Sequence, residues 1–128
     1  MSQVKKLNEN EIEFEKIKKE AEEGNVESMF KYAEKLKDGI GVMINKKEAS
    51  LYFKKAADLG HEQSILEYAY MLSDGDGIKE DKKEASKYFK KSADLGNVRS
   101  MIEYARMTER GEGIEIDKEC FEGCSGLT

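Results

Sequence analysis

Three sets of glycines recur at a spacing of 36 residues: Gly24, Gly60 and Gly96; Gly39, Gly75 and Gly111; Gly41, Gly77 and Gly113. Residues 46–81 and 82–117 are identical at 22 of 36 positions, sharing KKEAS-x-YFKK, ADLG, EYA-x-M and G-x-GI. A repeat of this length is one supersecondary unit that cannot bury its apolar face alone, so successive units must stack. The 128-residue chain has room for units near 12–45, 46–81 and 82–117. We therefore expect one solenoid over residues 1–118, followed by an irregular C-terminal tail, 119–128.

Each unit reads as two helices. Ile65, Tyr68, Ala69 and Leu72 fall at i, i+3, i+4 and i+7, the spacing of one apolar helical stripe, predicting a first helix near 62–73. Met29, Tyr32, Ala33 and Leu36 repeat that stripe, as do Met101, Tyr104, Ala105 and Thr108. Ala85, Tyr88, Phe89, Ser92 and Ala93 predict a second helix near 82–95, with Ala49, Tyr52, Phe53, Ala56 and Ala57 as counterparts. A further helix near 10–23 turns Phe14, Ile17 and Ala21 inward and opens the stack as a lone second helix.

The punctuation agrees. Asn45 with Glu48, and Asp81 with Glu84, have the spacing of capping boxes. Gly60 and Gly96 follow Leu59 and Leu95 as left-handed helix ends, and Gly75 closes a first helix. Asn25, His61 and Asn97 stand where the next helices start. Every signal is helical, and the expected fold class is all-α.

The arrangement Ser64-x-x-x-Tyr68-Ala69-x-x-Leu72-x-x-Gly75-x-Gly77-Ile78, then Asp81-x-x-x-Ala85-x-x-Tyr88-Phe89-x-x-Ser92-Ala93-x-x-Gly96-Asn97, resembles the Sel-1-like repeat. The resemblance covers about residues 12–118. Alanine stands in place of the family's usual glycine at 33, 69 and 105, and serine in place of its usual alanine at 28, 64 and 100. The paired cysteines of some secreted members are missing from the repeats. The resemblance implies an α/α solenoid related to tetratricopeptide repeats, acting as an adaptor or scaffold, with its first helices lining a concave side.

Composition excludes several other functions. Lys+Arg 22 against Asp+Glu 27 leaves a net charge of −5, a poor match for a phosphate backbone, so no nucleic-acid partner is expected. No apolar run approaches the length of a membrane span, and the first residues lack the apolar stretch of a secretory signal. Cys120 and Cys124 are too few and too terminal for a disulfide framework. The expectation is a cytoplasmic protein with no membrane partner.

Candidate chemistry is sparse. His61 is the only histidine, and its repeat equivalents Asn25 and Asn97 make it a helix-start residue. Asp74-Gly75-Asp76-Gly77 looks like the start of a calcium loop, but aligning Gly77 with loop position six puts Leu72 at one and Lys83 at twelve, where carboxylates belong. Cys120-x-x-x-Cys124 offers at most two metal ligands. The G-x-G pairs follow helices rather than strands, so they are turns and not phosphate loops. Ser28-Met29-Phe30-Lys31 matches S-x-x-K, the nucleophile motif of penicillin-binding enzymes, without its S-D-N and K-T-G partners. A serine hydrolase or β-lactam-binding protein using Ser28 and Lys31 is thus the rival reading, and a spacer or fragment of a longer repeat protein is a third. No catalytic residue, cofactor or metal is expected.

The surface of the first helices is more informative. The stripe at i, i+4, i+7 and i+11 reads Glu27, Lys31, Glu34, Asp38 in one unit, then Gln63, Glu67, Tyr70, Asp74, then Arg99, Glu103, Arg106, Arg110. It changes from net −2 to net +2 while the packing residues repeat. Tyr70, between Glu34 and Arg106 in the repeat register, reads as an aromatic without a core role, and aromatics and arginines anchor interfaces. The expected function is binding of a protein or peptide by Lys31, Glu34, Glu67, Tyr70, Glu103, Arg106 and Arg110. The repeat breaks after residue 117, which predicts a weak homodimer through residues 98–124.

Overall fold

The computed structural model describes residues 6–111. Six helices follow in order: α1 (Glu9–Glu22), α2 (Val26–Asp38), α3 (Lys46–Asp58), α4 (Glu62–Asp74), α5 (Lys82–Asp94) and α6 (Val98–Arg110). Each packs against the next, and the described residues contain no strand. None of these helices is long and apolar enough to cross a membrane. The architecture is an all-α solenoid of stacked helix pairs.

Side-chain caps set the helix starts. Asn25, His61 and Asn97 each accept the backbone N–H three residues on, at 3.0, 3.2 and 2.9 Å. Asn45 and Asp81 do the same for α3 and α5. The expected capping boxes at these two helices are only half formed. The return bond is seen, among the described residues, at α1 alone, between Glu11 and the Asn8 amide. At α3 the Glu48 carboxylate instead accepts the Tyr32 hydroxyl at 3.0 Å, and at α5 Glu84 lies 3.6 Å from Lys87. The return bond is pre-empted, because the Asn45 and Asp81 amides already donate to Leu36 and Leu72 carbonyls of the preceding helices, both at 2.8 Å.

The core repeats as the periodicity requires. Phe14, Ile17 and Ala21 of α1 are buried, as are Met29, Tyr32, Ala33 and Leu36 of α2 and Ile65, Tyr68, Ala69 and Leu72 of α4. Phe53 and Phe89, equivalent residues of α3 and α5, are fully enclosed. Tyr32 meets Tyr52 edge-on at 4.6 Å, and Tyr68 meets Tyr88 in the same way at 4.9 Å. On α6 the pattern departs. Met107 and Ser100 are buried, but Met101 is 45% exposed and Ala105 and Thr108 are exposed. Their equivalents on α2 and α4 are covered by the second helix of the same unit. The positions that would supply that helix here, together with Cys120 and Cys124, lie outside the described residues.

The second glycine of the first two G-x-G turns, Gly41 and Gly77, has a role beyond reversing the chain. A Cβ on Gly77 would collide with the Lys46 side chain at the start of α3, and one on Gly41 with the Asn10 carbonyl at the start of α1. The turn between the two helices of one unit thus lies against the second helix of the unit before. This contact sets the spacing between units.

Candidate partner-binding face

The variable stripe of the first helices is organised into two linked groups. The first joins α2 to α4. Lys37 Nζ donates to Glu67 Oε2 at 2.9 Å and lies 5.9 Å from the centre of the Phe53 ring. Burial works against the Lys37 charge, but the hydrogen bond to Glu67 and its charge outweigh it, and the ammonium pKa stands above its usual value. Glu34 is partly buried beside them. Burial, then the Glu67 charge, raises its pKa above the usual carboxylate value.

The second group joins α4 to α6. Burial, and after it the Glu103 charge, pushes the Tyr70 phenol above its usual value, opposed by the charge of Arg99 and a hydrogen bond with it. Glu103 in turn pairs with Arg106 at 3.2 Å. Lys31 and Arg110 are exposed and stand outside both groups. Lys37 is therefore part of this surface although the sequence did not single it out, and Arg99, which the stripe includes, joins the residues expected to bind. Lys37 falls outside the i, i+4, i+7 stripe and reaches it only because its long side chain bends toward the next unit.

Tyr70 has a packing role that its repeat register concealed. Its ring meets Phe89 edge-on, at 5.2 Å and 83°, and it is only partly exposed. In the preceding unit Phe53 is met by Phe30, ring centres 5.8 Å apart. The equivalent of Phe30 is Leu66, which is smaller and has no ring. Tyr70 supplies from one turn along the helix the aromatic contact that Leu66 cannot. It remains on the variable face, but as a residue shared between face and core.

His61 also spans two units. Its Nδ1 accepts the Ser64 amide at 3.2 Å and contacts Ser64 Oγ at 2.8 Å, while Nε2 lies 3.0 Å from Glu27 Oε2. Because Nδ1 accepts a backbone N–H, the proton sits on Nε2 and points at Glu27. Serine, histidine and glutamate in series have the order of a hydrolytic triad. Ser64 is nevertheless fully buried, so its hydroxyl has no access to a substrate. The arrangement is a joint between α2 and α4, and the Phe30 ring packs on the imidazole at 4.8 Å.

Ser28 and Lys31 form no comparable arrangement. Ser28 is buried at the start of α2, where its amide donates to Asn25, whereas Lys31 is exposed. Ser28 occupies the same buried position as Ser64 and Ser100. Among the described residues no cluster of three or more histidine, cysteine or acidic side chains could hold a metal.

The fold and face together define an α/α solenoid whose helix pairs repeat while the surface of the first helices varies. The Sel1 repeat model matches residues 26–61, 63–97 and 98–119, and the chain belongs to the Sel1 repeat family. Its fold is similar to that of a Sel1 repeat protein from Oxalobacter formigenes, with a TM-score of 0.78 and 26% identity over 84% of this chain and 44% of that one. It is also similar to a protective antigen present in uropathogenic Escherichia coli strains, described as displaying an SLR fold. There the TM-score is 0.81, with 24% identity over 85% of this chain and 23% of that one. Cysteine rich protein B of Helicobacter pylori gives a TM-score of 0.65 and 24% identity, over 69% of this chain and 66% of that one. This chain spans less than half the length of the first two. A search of curated proteins returns no match.

Proposed function

We propose that the protein is a non-catalytic interaction module that takes a peptide or protein segment on the face of its first helices, the concave side in this family. The observation that carries this reading is the contrast between an invariant framework and a changing face. Tyr32, Ala33, Phe53 and Ser64 recur almost unchanged between units, while Glu34, Tyr70 and Arg106 occupy one repeat position with three different chemistries. The Lys37–Glu67 pair ties α2 to α4 and the Glu103–Arg106 pair lies along α6, and such preorganising links lower the entropy cost of binding.

The test is affinity capture with the intact chain, quantified against Arg106→Glu/Arg110→Glu and Lys31→Glu variants. A partner held by this face is lost from the double variant, and its retention falls with salt, because exposed charges are screened over about 8–10 Å at ordinary ionic strength. A partner retained equally by all three chains places recognition on another surface. The rival reading is tested with a fluorescent penicillin. Stoichiometric acylation that disappears in Ser28→Ala would establish a hydrolase-like serine, and we expect no acylation.

A further inference from the structure

Helices α3 and α5 carry a charge pattern that the first helices and α1 lack. In α3 and α5 nine lysines stand against four carboxylates, a net of +5 in a chain whose total is −5. The outward positions repeat: Lys47, Lys54 and Lys55 on α3, and Lys83, Lys90 and Lys91 on α5, are all exposed. The two helices are neighbours, since the Tyr88 hydroxyl donates to Asp58 at 3.0 Å and Lys91 Nζ to the Ala57 carbonyl at 3.4 Å. Like charges gathered on one face oppose folding.

An apolar feature lies within this basic surface. A groove of about 680 Å³ runs along α3, lined by Lys47, Leu51, Tyr52, Lys54, Lys55 and Asp58 among others. Leu51 is 56% exposed. Its repeat equivalent is Lys87, so the fold places no requirement for an apolar side chain there. Tyr52 beside it is half-buried, with Lys55 Nζ 4.8 Å from the ring centre.

We propose that this face is a second docking site, for an acidic segment of another protein that seats one apolar side chain on Leu51 and Tyr52. Carboxylates flanking that side chain would reach Lys47 and Lys54, and those further along would reach the lysines of α5. A phosphate backbone is a poorer occupant, because it presents no aliphatic side chain to Leu51 and Tyr52 within the groove. An anionic bilayer is also poorer, because Leu51 is the one large apolar side chain on the outward stripe of these two helices.

The proposal is tested by fluorescence anisotropy with a labelled Glu/Asp-rich peptide carrying one central leucine, and with the same peptide carrying serine there. Leu51→Lys copies the residue that the fold already holds at 87, so it keeps the helices, as circular dichroism would verify. We expect it to weaken the leucine peptide at least about fivefold, the scale of one partly buried leucine, and to leave the serine peptide unchanged. Lys54→Glu/Lys90→Glu should weaken both peptides by about tenfold or more at low salt. Arg106→Glu/Arg110→Glu, on the other face, should change neither, which separates this result from the fate of the first-helix reading. Three results would overturn the proposal: no saturable binding, equal binding by both second-helix variants, or pelleting with phosphatidylserine–phosphatidylcholine vesicles that the peptide does not compete.

Discussion

Tyr70 stands edge-on to Phe89, ring centres 5.2 Å apart, in the role that Phe30 plays toward Phe53 one unit earlier. A residue on the proposed binding face is thereby also packed against the core. Aromatic pairs contribute about 0.5–1.5 kcal/mol beyond the area they bury. Tyr70→Ala should therefore lower stability by about 2 kcal/mol in denaturant titrations, whereas Tyr70→Phe should cost under about 1 kcal/mol. Equal stability of Tyr70→Ala and the parent chain would show that the ring contact carries no packing energy. Binding experiments on this face are better made with Arg106, which is exposed.

The turn glycines separate conformational strain from steric collision. Gly96 has φ of 97° and open space where a Cβ would stand, so Gly96→Ala meets only the left-handed backbone penalty of about 1–2 kcal/mol. Gly77, with φ of 79°, has Lys46 in that space as well. Gly77→Ala should cost clearly more than Gly96→Ala, and chemical denaturation of the two variants side by side makes the comparison. Equal losses would mean that the turn does not rest on α3.

Alkaline pH should loosen the stack. Burial, then hydrogen bonds to Glu48 and Asp58 respectively, push the Tyr32 and Tyr88 phenols well above their usual value of 10.0. The folded chain keeps these protons where the unfolded chain releases them, so their stabilisation is complete below pH 10 and is lost as pH rises above it. Lys37, its pKa raised by Glu67 in spite of burial, acts in the same direction. Denaturation midpoints should fall between pH 9 and 11, and Tyr32→Phe/Tyr88→Phe should flatten that slope. An unchanged slope in the double variant would assign the effect to other groups.

Association through the last unit is a further proposal. Val98, Met101 and Ile102 of α6 are 67%, 45% and 48% exposed, and repeat arrays need a polar cap at each end. We propose that a second copy covers this face, giving a weak dimer through residues 98–124, of which those beyond 111 lie outside the described residues. Sedimentation velocity of the full chain should show a concentration-dependent shift that Met101→Glu removes without loss of helix. A sedimentation coefficient independent of concentration would refute it.

The bounds of α1, α4 and α5 to within one residue, and most of the inward stripe residues of α1 to α5, were legible in the sequence. They depend on local rules: a 3.6-residue apolar period, side chains that cap, and glycines that end helices. A 36-residue repeat carries those rules three times, so each unit confirms the others. The identity of His61 as a helix cap came from the same internal comparison, with Asn25 and Asn97 as its controls.

Which residues meet across units was decided by the tertiary structure alone. The Phe30 to Leu66 change and the unique Tyr70 look unrelated in the sequence, and only the packing on Phe53 and Phe89 shows that one compensates for the other. Glu48 has the spacing of a capping box, yet its carboxylate accepts from the Tyr32 hydroxyl and the Asn45 side chain rather than from the Asn45 backbone. Lys37 joins Glu67 across 30 positions, and Lys46 at the start of α3 meets the turn at Gly77 that follows α4. Local sequence specifies a helix because its hydrogen bonds close within four residues. Contacts between units depend on how far each long side chain reaches once the helices are stacked, and that distance is set by the whole array.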